Sequence, residues 1–446
     1  MLARARSFFN PDNPTQLPRR LFWTAFLIRV AYIALAHTFR IRPADDHFQF
    51  AWEAGRIARA LVTGNGYADA FANTTFPHTG PTAWLPPLYP LLIAAIFRIF
   101  GVYSHTSAFV LFTLQSAFSA ATALATYEIA ARCFNRRVAL WSAWIWAFHP
   151  AAMQYAVRWP WEMSLTTALF TFTLVLALRM RGVGDETSRT SNLEPQTSQW
   201  LLFGLLCGLI ALSNSTLLIF LPICGLWILL GKKTGAPTIP GAPSKLRLGG
   251  ILQQAASALV FLACIAPWTF RNQQAFHTFI PLRGNLGAEL YMGNGPSSNG
   301  LLMEYFHPFQ APEQLRLYAT MGEVRYVAMR SAAAKQFIAA HPAHYASNIA
   351  LRIYFFWISV PQADVAPAVE AARVLNFAFT SIAGLLGLAL ALRHRVPAAG
   401  LFAWAILLLP IPYYAITVAA RFRHPLEPLL CILAVYLFQS AQRSRT

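Results

Sequence analysis

Long apolar runs separated by short polar segments make up most of this sequence. A helix that crosses a membrane needs about 20 mostly apolar residues. Ten runs come near or reach that length, and each predicts a spanning helix. These runs are Leu21–Phe39, Ser107–Ala131, Val138–Val157, Met163–Leu178, Trp200–Leu212, Thr216–Leu230, Gly250–Phe270, Val374–Leu392, Ala398–Val418 and Pro425–Phe438. Two further apolar stretches, Trp84–Phe100 and Tyr345–Val360, are ambiguous by length and composition.

Basic residues in the short loops predict the orientation of these helices, because cytoplasmic loops carry an excess of Lys and Arg. The basic clusters lie in residues 4–20, 132–137, 179–189, 232–247, 393–395 and 443–445. All of them fall inside only if Trp84–Phe100 and Tyr345–Val360 do not fully cross. We therefore expect these two stretches to be juxtamembrane or re-entrant helices. The external segments are then residues 40–106, 158–162, 213–215, 271–373 and 420–424.

The composition agrees with a polytopic membrane protein. Of 446 residues, 56% are hydrophobic and only 12% are charged, against about 25% charged residues in soluble domains. We expect an all-α protein in which residues 1–446 form one transmembrane domain, with a retained signal-anchor helix at its start. The net charge of +18 follows the loop pattern and does not favour nucleic-acid binding. The five cysteines are scattered and predict neither disulfides nor a zinc site.

A cluster of ionisable residues, Asp45-Asp46-His47, follows the first predicted helix. As a solvated loop start it would need no function. As a site, an ionised Asp at the membrane interface is suited to remove a proton from an attacking hydroxyl. Apolar residues recur at helical spacing from Phe50 to Leu61, which predicts an interfacial helix directly after this cluster.

A second group, Arg421, Arg423 and His424, lies in the last external segment, where basic residues do not help insertion. Snorkelling at a helix end is one interpretation. The other is a clamp for a lipid phosphate, since Arg makes bidentate, charge-assisted bonds to phosphate. Pro425 begins the following helix, whose free N–H groups also favour an anion.

Two further segments carry candidate binding residues. Arg158 and Glu162 flank a Trp-Pro-Trp turn, as a structural ion pair or as residues that position an acceptor. Glu162 could also hold a divalent metal together with Asp46. Arg283 and Asn285 lie in a Gly-containing turn, which is either a plain turn or a contact for sugar or phosphate.

Several short motifs together resemble the GT-C superfamily of membrane glycosyltransferases. Their order along nearly the whole chain is similar to the dolichyl-phosphate-mannose protein mannosyltransferases and the lipid A aminoarabinose transferases, a family 39-like branch. The motifs are Asp46 with Phe50, Gly64-Asn65-Gly66-Tyr67, Pro86-Pro87-Leu88-Tyr89-Pro90 with Phe100-Gly101, Arg132 with Phe134-Asn135-Arg136-Arg137, Glu162, Ala266-Pro267-Trp268-Thr269-Phe270-Arg271-Asn272, Gly293-Asn294 and Arg421-Phe422-Arg423-His424-Pro425-Leu426-Glu427-Pro428.

The resemblance implies a GT-C helix bundle of about 10–12 helices and a polyprenyl-phosphate sugar as donor. It implies that Asp46, with Asp45 as the alternative, is the catalytic base. His47 stands where the family often has a second acid, so a metal role at this point is in doubt and no cofactor is certain. The expected location is a bacterial inner (plasma) membrane, with the site facing the periplasm or exterior.

The sequence leaves other functions open. A secondary transporter or lipid flippase would use charges near the bilayer midplane and inverted repeats, and a non-catalytic scaffold would need neither cluster. The sugar, the acceptor, metal dependence and oligomeric state are not determined by the sequence.

Overall fold

The structure is a computed structural model that describes residues 17–41, 50–184, 196–230, 245–301, 306–362 and 365–443. The described residues form helices joined by loops, with no β-strand among them beyond one isolated bridge between Ala68 and Pro81. Asp45, Asp46 and His47 lie outside the described residues.

The first half of the chain contains the helices that lead to and follow the first long loop. They are α1 (Leu17–Leu35), α2 (Trp52–Val62), α3 (Leu88–Phe100), α4 (His105–Cys133), α5 (Arg136–Phe148), α6 (Pro150–Val157), α7 (Met163–Met180) and α8 (Thr197–Ser213). A 3₁₀ helix, Ser215–Ile219, then leads into α9 (Leu221–Leu229).

The second half begins with one long helix and ends with another. Its helices are α10 (Lys245–Phe276), α11 (Leu286–Asn294), α12 (Pro312–Met321), α13 (Glu323–Ala340), α14 (Pro342–Trp357), α15 (Pro367–Arg393), α16 (Ala399–Leu408) and α17 (Ile411–Ala415). The 3₁₀ helix Ala420–Leu426 then precedes α18 (Glu427–Arg443).

Each predicted span corresponds to helical structure, but two are broken by proline. The run 138–157 is divided at His149 into α5 and α6, and the run 398–418 is divided at Pro410 into α16 and α17. Proline has no N–H to donate and clashes with the preceding turn. Within the described chain, four helices are long and apolar enough to cross a membrane: His105–Cys133, Met163–Met180, Leu252–Phe276 and Pro367–Arg393.

The two ambiguous stretches form the short helices α3 and α14, of 13 and 16 residues. At 1.5 Å per residue these are about 20 and 24 Å long, less than the roughly 30 Å of a hydrocarbon core. Stretches predicted to span, such as Thr197–Ser213 and Ala399–Ala415, are similarly short, so the juxtamembrane position of α3 and α14 stays a prediction.

Small residues let neighbouring helices approach closely. A Cβ added to Gly204 on α8 would lie 2.2 Å from the Ser257 carbonyl oxygen on α10, and one added to Gly387 on α15 would lie 2.0 Å from that of Leu433 on α18. Such close backbone packing is typical of membrane helices. The opposite face of α10 is apolar and exposed, with Leu259 67% exposed, as expected of a lipid-facing surface.

The segments predicted to be external meet at one end of the bundle. Gly284 N donates to Ala83 O at 2.8 Å, which joins the two long loops. Asn294 Nδ2 donates to Ala415 O at 3.2 Å, which joins the large loop to α17. We call the packed parts of the long loops, residues 50–87, 277–301 and 306–340, the cap.

Candidate functional site

A short strip of the first loop, residues 82–85, is fixed on both sides by residues of the large loop. Glu323 accepts hydrogen bonds from Ala83 N at 2.7 Å and from Tyr318 Oη at 2.7 Å. Thr82 Oγ1 also donates to this carboxylate. Burial raises the pKa of Glu323, against the lowering effect of the hydrogen bonds from Thr82 and Tyr318. Neither Glu323 nor its partners was predicted as part of the site.

The same strip determines where Arg283 lies. Its Nε donates to Trp84 O at 3.0 Å, and its Nη2 lies 3.2 Å from Glu289 Oε1. Asn285, which is buried, donates to the same Glu289 oxygen at 3.0 Å. Asn285 therefore holds the turn, while the partly exposed Arg283 interacts electrostatically with Glu162.

Glu162 lies in the turn before α7, and Gln115 of α4 holds this turn in place. The amide of Gln115 donates to the carbonyls of Tyr155, Trp159 and Trp161 at 3.1, 3.1 and 2.9 Å. Glu162 is half-buried, and among the described residues its carboxylate has neither an ion pair nor a hydrogen bond to another side chain.

Burial raises the pKa of the Glu162 carboxyl above its ordinary value, and Arg421 followed by Arg283 oppose that shift. Glu53 on α2 acts on it in the same direction as burial. Two guanidinium groups and one carboxyl group, each from a different chain segment, therefore lie within electrostatic reach of Glu162. Such a mixture of charges in a partly closed site is typical of functional centres.

Arg421 stacks on the turn that contains Glu162. Its guanidinium carbon lies 4.4 Å from the centre of the Trp161 ring, which itself stacks on Trp159. The next residue, Phe422, stacks on Tyr413 of α17 with ring centres 4.4 Å apart. No hydrogen bond or ion pair to the Arg421 guanidinium is found among the described residues, so its donors face the site without a protein partner.

Arg423 and His424 lie on the other side of the same 3₁₀ helix and are buried. Arg423 Nε bonds Glu427 Oε1 at 2.7 Å, and its other nitrogens donate to Thr380 Oγ1, Ser381 Oγ and the carbonyls of Trp357 and Phe377. His424 packs against Trp146 and Tyr155. The three predicted clamp residues are thus divided: Arg421 faces Glu162, and the other two face the bundle interior.

Arg158 is exposed at the end of α6 and lines a separate pocket of about 180 Å³ with Tyr32 and Gln154. Within the described segments, no hydrogen bond or ion pair joins it to Glu162.

An acid–imidazole pair that the sequence did not single out lies beside this site. His307 Nε2 is 3.3 Å from Glu53 Oε1, and His307 Nδ1 accepts from Phe309 N at 3.2 Å. A neutral imidazole that accepts at Nδ1 has its proton on Nε2, so His307 donates to Glu53. From the sequence, Glu53 was assigned only to the interfacial helix predicted between Phe50 and Leu61. No group of three or more His, Cys, Asp or Glu in the described ranges is arranged to hold a metal.

The described chain resumes at Phe50, four residues after Asp46. Phe50 packs on Phe97 and Tyr103, in an apolar cluster that also contains Leu165 of α7. Leu165 is one turn from Glu162.

Comparison with known proteins identifies the architecture. Residues 85–269 match the family model described as dolichyl-phosphate-mannose-protein mannosyltransferase. The archaeal oligosaccharyltransferase AglB from Archaeoglobus fulgidus, in complex with an inhibitory peptide and a dolichol-phosphate, superposes with a TM-score of 0.51 over 95% of this chain and 50% of that one, at 14% identity.

The chain has a GT-C fold. The AglB complex with Zn and sulfate gives a TM-score of 0.52 at 15% identity, over 95% of this chain and 49% of that chain. ArnT from Cupriavidus metallidurans bound to undecaprenyl phosphate gives a TM-score of 0.36 at 13% identity, over 93% of this chain and 78% of that chain. This GT-C chain spans about half the length of AglB. A comparison with curated proteins gives no match.

The recognition of the GT-C superfamily and the all-α polytopic fold predicted from the sequence are confirmed. The matched family segment contains Arg158, Glu162 and the last residue of the strip, Leu85, but not Asp46 or Arg421.

Proposed function

We propose that this protein is a membrane glycosyltransferase that moves a sugar from a polyprenyl-phosphate donor to an acceptor hydroxyl on the outer face of the membrane. The observation that carries the proposal is Arg421, a half-buried guanidinium stacked on Trp161 with its donors free beside Glu162. The family match over residues 85–269 and the AglB structure, which is a complex with a dolichol-phosphate, support a lipid-linked donor.

In this mechanism the first-loop carboxylate, Asp46 or alternatively Asp45, removes the proton from the acceptor hydroxyl. The hydroxyl oxygen forms a bond to the anomeric carbon as the bond from that carbon to the phosphate oxygen breaks. The electron pair leaves with the polyprenyl phosphate, and attack from the opposite face inverts the anomeric centre. The phosphate leaves as an anion, so Arg421 can stabilise it electrostatically without a strong general acid.

The remaining site residues have supporting roles in this proposal. Glu162 accepts a hydrogen bond from the acceptor or the sugar, and Arg283 balances its charge from the large loop. Arg423 and His424 hold the 3₁₀ helix on which Arg421 lies. Glu162 and Asp46 are the residues that would hold the divalent metal considered from the sequence, and the steps above are written for residues of this chain alone.

The test is transfer from the polyprenyl-phosphate sugar fraction of native membranes by protein in proteoliposomes. Asp46→Asn and Asp45→Asn are measured singly and together, with Asp69→Asn as a carboxylate control in the cap. We expect a loss of transfer of 100-fold or more with Asp46→Asn and a much smaller loss with Asp45→Asn. Unchanged transfer in the double variant would refute the proposal.

The substrates can be identified by mass spectrometry of glycolipids and glycoproteins from a deletion strain. We expect one accumulated polyprenyl-phosphate sugar and one missing glycan. A flippase or transporter would instead change the side of the membrane on which the lipid-linked sugar accumulates, without transfer by the purified protein.

A further inference from the structure

The buried face of α1 contains a charged residue. Its buried positions recur every four residues as Leu17, Leu21, Ala25, Arg29 and Ile33. Arg29 is 0% exposed, and its Nη1 donates to Ala25 O of its own helix at 2.9 Å. Its Nε and Nη2 have no hydrogen-bond partner in the described part of the chain.

The buried face of α1 packs on the α5–α6 region on both sides of Arg29: Leu21 clusters with Trp146 and Ala152, and Ile33 clusters with Ala156 and Val157. Two buried imidazoles lie in this region and act electrostatically on or with Arg29. They are His149, at the junction of α5 and α6, and His424, in the 3₁₀ helix before α18. They are 4% and 1% exposed, and the indole of Trp146 contacts both rings. None of their four ring nitrogens has a hydrogen-bond partner among the described residues. His149 Nε2 is 3.8 Å from Glu427 Oε2, beyond hydrogen-bond distance.

The charges in this group do not balance. Arg423 is paired with Glu427 through its Nε at 2.7 Å, which leaves Arg29 without a matching negative charge among the residues that the structure describes. The net charge is therefore +1 with both imidazoles neutral, and any proton on them increases it. An uncompensated buried charge is strongly unfavourable. Water molecules could accept hydrogen bonds from the free donors of Arg29, but they could not neutralise its charge.

We propose that Arg29, His149 and His424 bind one small monovalent anion of the chloride type. The anion would accept from Nε and Nη2 of Arg29 and from an N–H of each imidazole, and it would bring the charge of the cluster to zero. All three side chains are buried, so a lipid headgroup has no access to them in this conformation. The site joins α1, the α5–α6 junction and the last 3₁₀ helix. It does not depend on the proposed transferase activity.

The experiment is thermal unfolding of the full chain in detergent at constant pH and ionic strength, with sodium chloride replacing sodium gluconate stepwise. A ligand that binds only the folded state raises the unfolding temperature in a saturable way, and we expect this from chloride and bromide. In crystals grown in bromide, anomalous scattering is expected between Arg29 and His424.

Arg29→Met should remove the halide response, whereas Arg98→Met, which removes an exposed arginine of α3, should retain it. If Arg29→Met does not fold, His424→Phe keeps the packing of the ring and should raise the half-saturating chloride concentration at least tenfold. The proposal is overturned if unfolding is the same in chloride and gluconate, if Arg29→Met keeps the response, or if inorganic phosphate stabilises as well as chloride.

Discussion

The guanidinium carbon of Arg421 lies 4.4 Å from the centre of the Trp161 ring, in the residue before Glu162. Stacking of this kind orients the plane of the guanidinium and leaves the donors at its edge available. Phe422 stacks on Tyr413 directly after it, and Tyr413 Oη lies 2.6 Å from Thr216 Oγ1. The position of Arg421 is therefore set before any substrate binds, by the turn before α7, by α17 and by the 3₁₀ helix Ser215–Ile219.

Replacement of Arg421 by Gln should lower kcat/KM for transfer by about 100- to 1,000-fold, the effect typical of losing one electrostatic stabiliser. Arg421→Lys should lose less, because it keeps the charge but not the planar fork. The measurement is transfer in proteoliposomes together with thermal unfolding. Since Arg421 has no protein hydrogen bond in the described chain, we expect the unfolding temperature to stay close to that of the wild type.

Replacement of Arg423 by Gln, two residues from Arg421, should mainly lower the stability of the protein. Its charge is buried against Glu427 and Phe377, and breaking a buried pair costs about 3–5 kcal/mol. We expect a clear fall in stability in denaturant unfolding, with Arg421→Gln as the matched control. A stable but inactive Arg423→Gln would show instead that Arg423 contacts the donor phosphate.

The sequence placed Arg421, Arg423 and His424 together, but it could not predict which of them face the site and which are buried. In an extended loop all three could face one ligand. Arg421 and Arg423 are two positions apart in a 3₁₀ helix with three residues per turn, so they point to different sides. This repeat does not separate Arg421 from His424, whose burial comes from its packing on Trp146 and Tyr155. Neither composition nor charge indicates these contacts.

Long-range contacts account for most of what the sequence missed. Thr82 and Glu323 are 241 residues apart in sequence, and no periodicity relates them. The helices could be predicted because each depends on its own apolar run. Pro150 and Pro410 cause the breaks at His149 and Pro410. Both prolines are visible in the sequence, but each was included within a single predicted span.

Replacement of Glu162 by Gln should change the pH dependence of transfer. Burial raises the pKa of this carboxyl, so the fraction that is ionised increases as the pH rises through a value above 4.5. If the carboxylate accepts a hydrogen bond from the substrate, the rate rises over the same range. Glu162→Gln should have a lower kcat and lose this limb of the profile. The exposed Glu313→Gln is the control, and an unchanged limb in Glu162→Gln would assign it to another group.

Glu323 gives a prediction about the stability of the cap. Its pKa is raised in the folded state by burial, so the folded protein binds more protons than the unfolded one between its ordinary value of 4.5 and the raised value. The contribution of this group is then fully present below pH 4.5 and is lost as the pH rises through the folded-state pKa. The wild-type cap should become less stable over that interval, and Glu323→Gln should not.

Glu323→Ala separates this charge effect from the hydrogen bonds. It leaves Thr82 Oγ1, Ala83 N and Tyr318 Oη without their acceptor, at a cost of about 1–3 kcal/mol for each buried donor left unpaired. Its destabilisation should therefore appear at every pH, whereas the Gln variant should match the wild type at acid pH. Hydrogen exchange of the peptide that contains residues 79–86 measures both effects, because these residues are held to α13 through Glu323. If the wild type and Glu323→Gln change in parallel with pH, the titrating group in the cap is a different one.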